Sequence, residues 1–323
     1  MPLALIFGVL GQDGALLAKL LLEKEYEIVG VSRSLQSFEG HNNLKRLEIF
    51  DHVTKEAISL KDYKSVLQII LKYRPNEIYN LAGQSSVNHS FEQPLETYHS
   101  IVLGTLNILE SLRVTGLPSK LFNAGSGQCF GNINQQIPNE SSRFFPCSPY
   151  GIAKSSAFSI TKNYRDAYGV FACTGIMFNH ESYLRPETFV TQKIVTAACK
   201  IFKGLQTELT LGNLSIQRDW GWAPEYVNGM WLMLQKITPD DYILATGQSY
   251  TLEEFTDTVF KLLGLNWKNF VRLNDQFKIP MDIVVSKGDP TKARDKLGWE
   301  PSIQMPGVAK LMVDHSLARS GDS

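Results

Sequence analysis

Leu3-Ala4-Leu5-Ile6-Phe7-Gly8-Val9-Leu10-Gly11-Gln12-Asp13-Gly14 is the stretch whose reading decides the fold. Five apolar residues make a run of strand length, and three glycines at three-residue spacing follow it. Leu16, Leu17, Leu20 and Leu21 then recur three and four positions apart, which sets one apolar face along a helix. A glycine triplet alone arises often by chance. Set between a strand and an amphipathic helix, Gly8, Gly11 and Gly14 predict a dinucleotide fingerprint: missing side chains let backbone N–H groups approach a pyrophosphate, and the helix N-terminus favours its charge.

Outward from this unit the alternation continues. Glu27–Val31, Leu47–Phe50, Glu77–Leu81 and Lys120–Ala124 read as strands, and Tyr63–Tyr73 and Leu95–Leu112 read as helices. Strands separated by helices of this length imply parallel pairing with right-handed crossovers. The expected fold is α/β, a Rossmann-type doubly wound parallel sheet with a smaller C-terminal α+β substrate lobe. The expected division is a dinucleotide-binding domain over 1–177, to which some later segments return, a substrate lobe over 178–316, and a frayed tail over 317–323.

Composition narrows the function classes. Lys+Arg and Asp+Glu both number 32 in 323 residues, so no basic footprint for nucleic acid appears. No apolar run approaches the twenty or so residues of a bilayer span, and the N-terminal apolar stretch lacks a basic leader, so no membrane association and a cytoplasmic location are expected. Four cysteines, Cys129, Cys147, Cys173 and Cys199, are scattered without a C-x-x-C pair, which predicts reduced thiols and no metal site.

The end of the second strand selects the cofactor. NAD sites carry an acid there for the ribose hydroxyls, whereas this chain reads Val31-Ser32-Arg33-Ser34. A guanidinium suits a 2′-phosphate, so Arg33 favours NADP over NAD; a solvated surface arginine is the bland alternative. Further on, Tyr150 and Lys154 form Y-x-x-x-K, and four residues along a helix put both on one face. An ammonium beside a phenol lowers the phenol's pKa from about 10 towards working pH, so that it can take a proton from a sugar hydroxyl while hydride leaves the same carbon. Ser126, after the Lys120–Ala124 strand, completes such a relay. Asn80-Leu81-Ala82-Gly83 ends the preceding strand and borders the same sheet edge.

With these motifs in place, the chain resembles the extended short-chain dehydrogenase/reductase family and, within it, the GDP-mannose 4,6-dehydratases. The resemblance spans nearly the whole chain: GVLGQDG (8–14), EIYNLAGQS (77–85), VNHSFEQP (87–94), SPYGIAK (148–154), NYRDAYG (163–169), FNHES (178–182), ETFVTQK (187–193), LGNL (211–214), RDWG (218–221) and GDPTKA (288–293). It implies an NADP site formed by Gly8, Gly11, Gln12, Asp13, Gly14, Arg33, Leu81, Ala82, Gly83, Gln84, Ser85, Tyr98, Lys154, His180 and Arg185. It implies a GDP-sugar site at Ser86, Asn179, Lys193, Leu211, Asn213 and Arg218, and a homodimer or homotetramer.

The departures bear on the reaction. Family dehydratases follow the serine or threonine of the fifth strand with a glutamate that removes the 5-proton and helps expel the 6-hydroxyl. This chain reads Ser126-Gly127-Gln128, and an amide is no base near neutral pH. Gln192 stands where the family carries an arginine, and Ile279-Pro280-Met281-Asp282 replaces Arg-Pro-Thr-Glu, with Lys278 as a substitute cation. Ser59-Leu60 replaces an Asp-Leu near the adenine. Three readings follow. First on chemistry is a 4-epimerase or 4-keto reductase of a GDP-mannose-type sugar that does not eliminate water. Next is a 4,6-dehydratase in which Cys129 or a water held by Gln128 replaces the base. Last is a catalytically inactive homologue that keeps the cofactor.

Overall fold

The computed structural model describes residues 1–40, 42–132, 136–274, 276 and 281–319. Lys278, Ile279, Pro280 and the tail from 320 lie outside them. The first half supplies strands β1 (Leu3–Phe7), β2 (Glu27–Ser32), β3 (Val53–Ala57), β4 (Glu77–Asn80), β5 (Lys120–Ala124) and β6 (Ala172–Met177). The second half supplies β7 (Asn179–Glu181), β8 (Leu209–Leu211), β9 (Gln217–Arg218), β10 (Trp220–Trp222), β11 (Tyr242–Leu244), β12 (Tyr250–Thr251), β13 (Val271–Leu273) and β14 (Val285–Ser286).

Seven strands form one sheet in the order β11-β6-β5-β4-β1-β2-β3, and every pairing in it is parallel. The order reverses between β1 and β4, and the crevice outside the C-terminal ends of these strands is where a doubly wound sheet binds ligands. Leu5, Ile6 and Phe7 are fully buried because helices cover both faces of the sheet, which is why these strands read as unbroken apolar runs. Each such side chain stabilises the fold by roughly 1.5–3 kcal/mol.

The helix Gln12–Glu23 packs on this sheet and on the helix Ala223–Leu234, which comes from the second half of the chain. β11, also from the second half, joins the same sheet. A separate core gathers the helices Val190–Phe202, Leu252–Leu262 and Met305–Arg319, which meet near Trp220 and Phe255.

Two sequence expectations are corrected. Leu47–Phe50 is not a strand. Glu48 has a φ of 60°, a left-handed conformation incompatible with extended pairing, and Leu47 and Ile49 bury their side chains from a turn. Their alternation imitates a strand, and the third strand is instead Val53–Ala57. The tail is not frayed from 317 either: the last helix continues to Arg319, with Leu317 packed against the second core.

Gly14 sits where the first helix crosses the turn after β1, and a Cβ there would lie 2.2 Å from the Gly8 carbonyl oxygen. Because the clash is with backbone, Gly14→Ala is expected to cost about 1–3 kcal/mol, as overpacking does. The measurement is the urea midpoint, and an unchanged midpoint would reject this account of the helix approach.

Candidate active site

At the glycine turn, Gly8 adopts a φ of +87° and its carbonyl accepts from Gly11 N–H at 3.0 Å. Gly11 is the N-cap of the helix Gln12–Glu23 and brings no side-chain cap, so the first-turn donors remain available to an anion. Asp13 occupies that same turn and borders the cleft. Its carboxylate meets His180 Nε2 at 3.0 Å, and His180 Nδ1 lies 2.7 Å from the Phe178 carbonyl oxygen. Burial alone would raise the Asp13 pKa, but the charges of His180 and Arg185 outweigh it and hold the carboxyl well below the usual range. Burial likewise opposes charge on His180, and Asp13 reverses that effect and raises the ring's pKa. Gln12 ties the two lobes again, donating to the His180 carbonyl at 3.1 Å and accepting from Ser182 Oγ at 2.8 Å.

On the opposite wall, Ser148 caps the helix Pro149–Tyr168 by accepting from Gly151 N–H at 3.0 Å, and Pro149 pre-sets its first turn. Tyr150 and Lys154 thus leave one face of this helix and both border the cleft. The Ser126 side chain lies close enough to the Tyr150 phenol to favour its ionised form, and it accepts from Gln128 N–H at 3.2 Å. Lys154 directs its ammonium to the Ala124 carbonyl at 2.6 Å and stands 5.8 Å from the Tyr150 ring centroid. Burial pushes the phenol up to about 12, and burial pulls the lysine down to about 8. Desolvation of both groups sets these directions.

The cleft between these walls opens to solvent and has a cavity volume of about 360 Å³. It brings together Asp13, Leu81, Ala82, Gly83, Gln84, Ser85, Ser86, Ser126, Gln128, Tyr150, Lys154, Asn179, His180, Arg185 and Arg218 from segments far apart in sequence. Asn179 and His180 arrive on β7, which pairs with β10. Arg218 is buried on β9 and donates to Asp282 Oδ1 and to the Ile283 carbonyl, both at 2.7 Å. Ser86 caps a short helix over Val87–Glu92, and Gln84 bonds its main chain.

Other candidates stand apart from the lining. Arg33 is exposed just beyond β2, and Tyr98 packs beside Ala153 and Ala157 behind the catalytic helix. Lys193 donates to the Thr210 carbonyl at 2.7 Å. Leu211 belongs to the second core, and Asn213 is exposed and closes a turn on Ser215. Cys129 is 1% exposed and absent from the lining, and burial pushes its thiol up to about 11. Thr188–Thr191, Glu181 and Asp282 line the cleft without having been singled out as site residues, although the first two lie within the quoted stretches ETFVTQK and FNHES. Trp220, within the quoted stretch RDWG, also lines it, as do Ile216 and Ser286, which no local pattern marks. Among the described residues no cluster could hold a metal, and no helix is long and apolar enough to cross a membrane.

Residues 5–312 match the family described as GDP-mannose 4,6 dehydratase. GDP-mannose 4,6 dehydratase 2 of Arabidopsis thaliana is 43% identical over 325 residues, covering 98% of this chain and 87% of the relative. GDP-mannose 4,6-dehydratase of Sinorhizobium fredii is 41% identical, covering 98% and 96%. Among solved structures, a dTDP-glucose 4,6-dehydratase from Bacillus anthracis in complex with NAD superposes with a TM-score of 0.85 at 18% identity, over 100% of this chain and 98% of that one. RMD from Pseudomonas aeruginosa, complexed with NADPH, gives 0.81 at 18% identity, over 99% and 100%. At these identities the superpositions bear on the fold alone.

The depressed pKa of Lys154 has a stability consequence. Between about pH 8 and its unfolded value near 10.4, the unfolded chain binds a proton at this residue that the folded chain has lost, so stability contributed here rises with pH. Lys154→Met is expected to remove that rise. Urea midpoints at pH 7.5, 9 and 10, numbers chosen about this window, should climb in the parent relative to the variant; parallel curves would refute the burial effect.

Proposed function

The chain belongs to the GDP-mannose 4,6-dehydratase family, and from that premise we propose that its cleft holds NADP and a GDP-mannose-type sugar and carries out hydride chemistry at the 4-position without eliminating water. The observation that carries this reading is the side chain at position 128. Gln128 borders the cleft two residues after Ser126, as do Tyr150 and Lys154. An amide there can hydrogen-bond a sugar hydroxyl but cannot strip a carbon-bound proton, and losing a general base typically costs about 10²–10⁴-fold.

No neighbour takes over that role. Asp13, Glu181 and Asp282 are the carboxylates among the described lining residues, and each is already engaged, with His180, Arg185 and Arg218 respectively. Cys129 is buried as a neutral thiol. Hydride transfer needs only what is intact. Tyr150 exchanges the proton of the 4-hydroxyl, Ser126 relays and orients it, and Lys154 holds the main chain at the end of β5. A bound oxidised nicotinamide would supply the hydride acceptor and a positive charge that favours the phenolate. The uncapped helix start at Gly11 and the cation Arg185 suit its pyrophosphate. Exposed Arg33, with no acid at the end of β2, suits a 2′-phosphate.

The family's own reaction, 4,6-dehydration, is the second reading, and the 43% identity to the plant relative favours it. Incubation of the purified protein with GDP-mannose in deuterated water separates the two. The expected product has the substrate's mass, an inverted 4-position and no solvent label. If the 4-position is not inverted, NADPH consumption with a supplied 4-keto sugar marks the reductase form. Loss of water with deuterium at the 5-position would overturn the proposal, and cofactor binding without turnover of any sugar would mark an inactive homologue. Tyr150→Phe is expected to abolish hydride transfer while NADPH affinity stays within about threefold, below the 1.4 kcal/mol that a tenfold change represents.

Gln128→Glu is expected to add water elimination to the activity, detected by mass and by solvent label at the 5-position. No gain would show that the rest of the pocket has diverged with residue 128.

A further inference from the structure

His180 is held between two atoms that can only accept. Nδ1 faces the Phe178 carbonyl oxygen at 2.7 Å and Nε2 faces the Asp13 carboxylate at 3.0 Å, so each nitrogen finds a partner only if both carry hydrogen. The ring also stacks on Tyr226, with centroids 4.6 Å apart, a face that favours a cation. We infer that Asp13 is a positioning residue that keeps His180 as a fixed imidazolium at the mouth of the first helix, so that one buried proton governs dinucleotide binding. The inference rests on the proposed binding of a dinucleotide in this cleft.

The surrounding charges single out Asp13 for this role. Glu181, adjacent to His180 on β7, is taken by Arg185 Nε at 2.8 Å and by Thr191 Oγ1 at 2.8 Å. Arg185 also donates to the His180 carbonyl. From the catalytic helix, Tyr150 and Lys154 feel the Asp13 charge, and Asp219 and Glu225 lie behind Tyr226. Around the cleft mouth Asp13 and Glu181 balance His180 and Arg185. If His180 loses its proton, the group becomes net negative in front of a pyrophosphate. Burial disfavours that proton and Asp13 restores it, so the ring titrates above its ordinary value of about 6.5. Affinity is therefore full below this raised value and falls as pH rises through it.

The test uses the full chain. Ring titration of His180 by NMR in the unliganded protein, assigned through His180→Gln, is compared between the parent and the isosteric Asp13→Asn. NADPH dissociation constants are then measured against pH for all three proteins. The parent is expected to weaken about tenfold as pH passes the ring's transition, the change one pKa unit represents. In Asp13→Asn both the ring transition and the affinity step move to lower pH together, because only burial remains. In His180→Gln the step disappears. Coincident ring titrations in parent and Asp13→Asn, or superimposed NADPH curves, would overturn the inference. A parent that binds neither NADPH nor NADH would instead sink the dinucleotide reading, while the ring titration still decides the Asp13–His180 pair.

Discussion

Asp13 projects from the first turn of a helix into a site that excludes most water, and a charge in that position must find a partner. It finds His180, from a strand 167 residues further along the chain. That contact, reinforced by Gln12 on the His180 carbonyl and on Ser182, joins the glycine turn to the segment that carries Asn179, His180 and Arg185. The geometry of the cleft depends on this closure. Without it the glycine turn and the strand β7 would be set only by their separate packing.

Across the cleft the same desolvation acts on a different pair. Tyr150 and Lys154 share a helix face, yet burial drives the phenol towards its neutral form and the amine away from its charged form. The lysine meanwhile anchors the Ala124 carbonyl, fixing the strand end from which Ser126 and Gln128 project. The Y-x-x-x-K spacing therefore serves two ends, placing a proton donor and bracing the wall opposite it.

On the proposed function, the side chain at position 128 is the exchange that redirects the site. Amide and carboxylate have nearly the same shape, so the cleft need not repack around the exchange, but one of them can accept a proton at neutral pH and the other cannot. The remaining carboxylates along the cleft are committed to cations that hold the walls together. A structural role of that kind makes them poor substitutes.

Much of this was legible in one dimension. The glycine spacing, the strand lengths and the Tyr150–Lys154 interval are local patterns imposed by strand, turn and helix geometry, so the sequence determined the parallel sheet, its crevice and the helix that carries the proton donor. Leu47 and Ile49 were misread because burial from a left-handed turn can mimic the period of a strand. The burial that sets the Tyr150 and Lys154 pKa values, the Asp13–His180 bond, the capture of Arg218 by Asp282, and the contributions of Ile216 and Ser286 were decided only by the tertiary structure. Desolvation and charge pairing depend on what surrounds a group in space, and those neighbours come from segments that no local spacing connects.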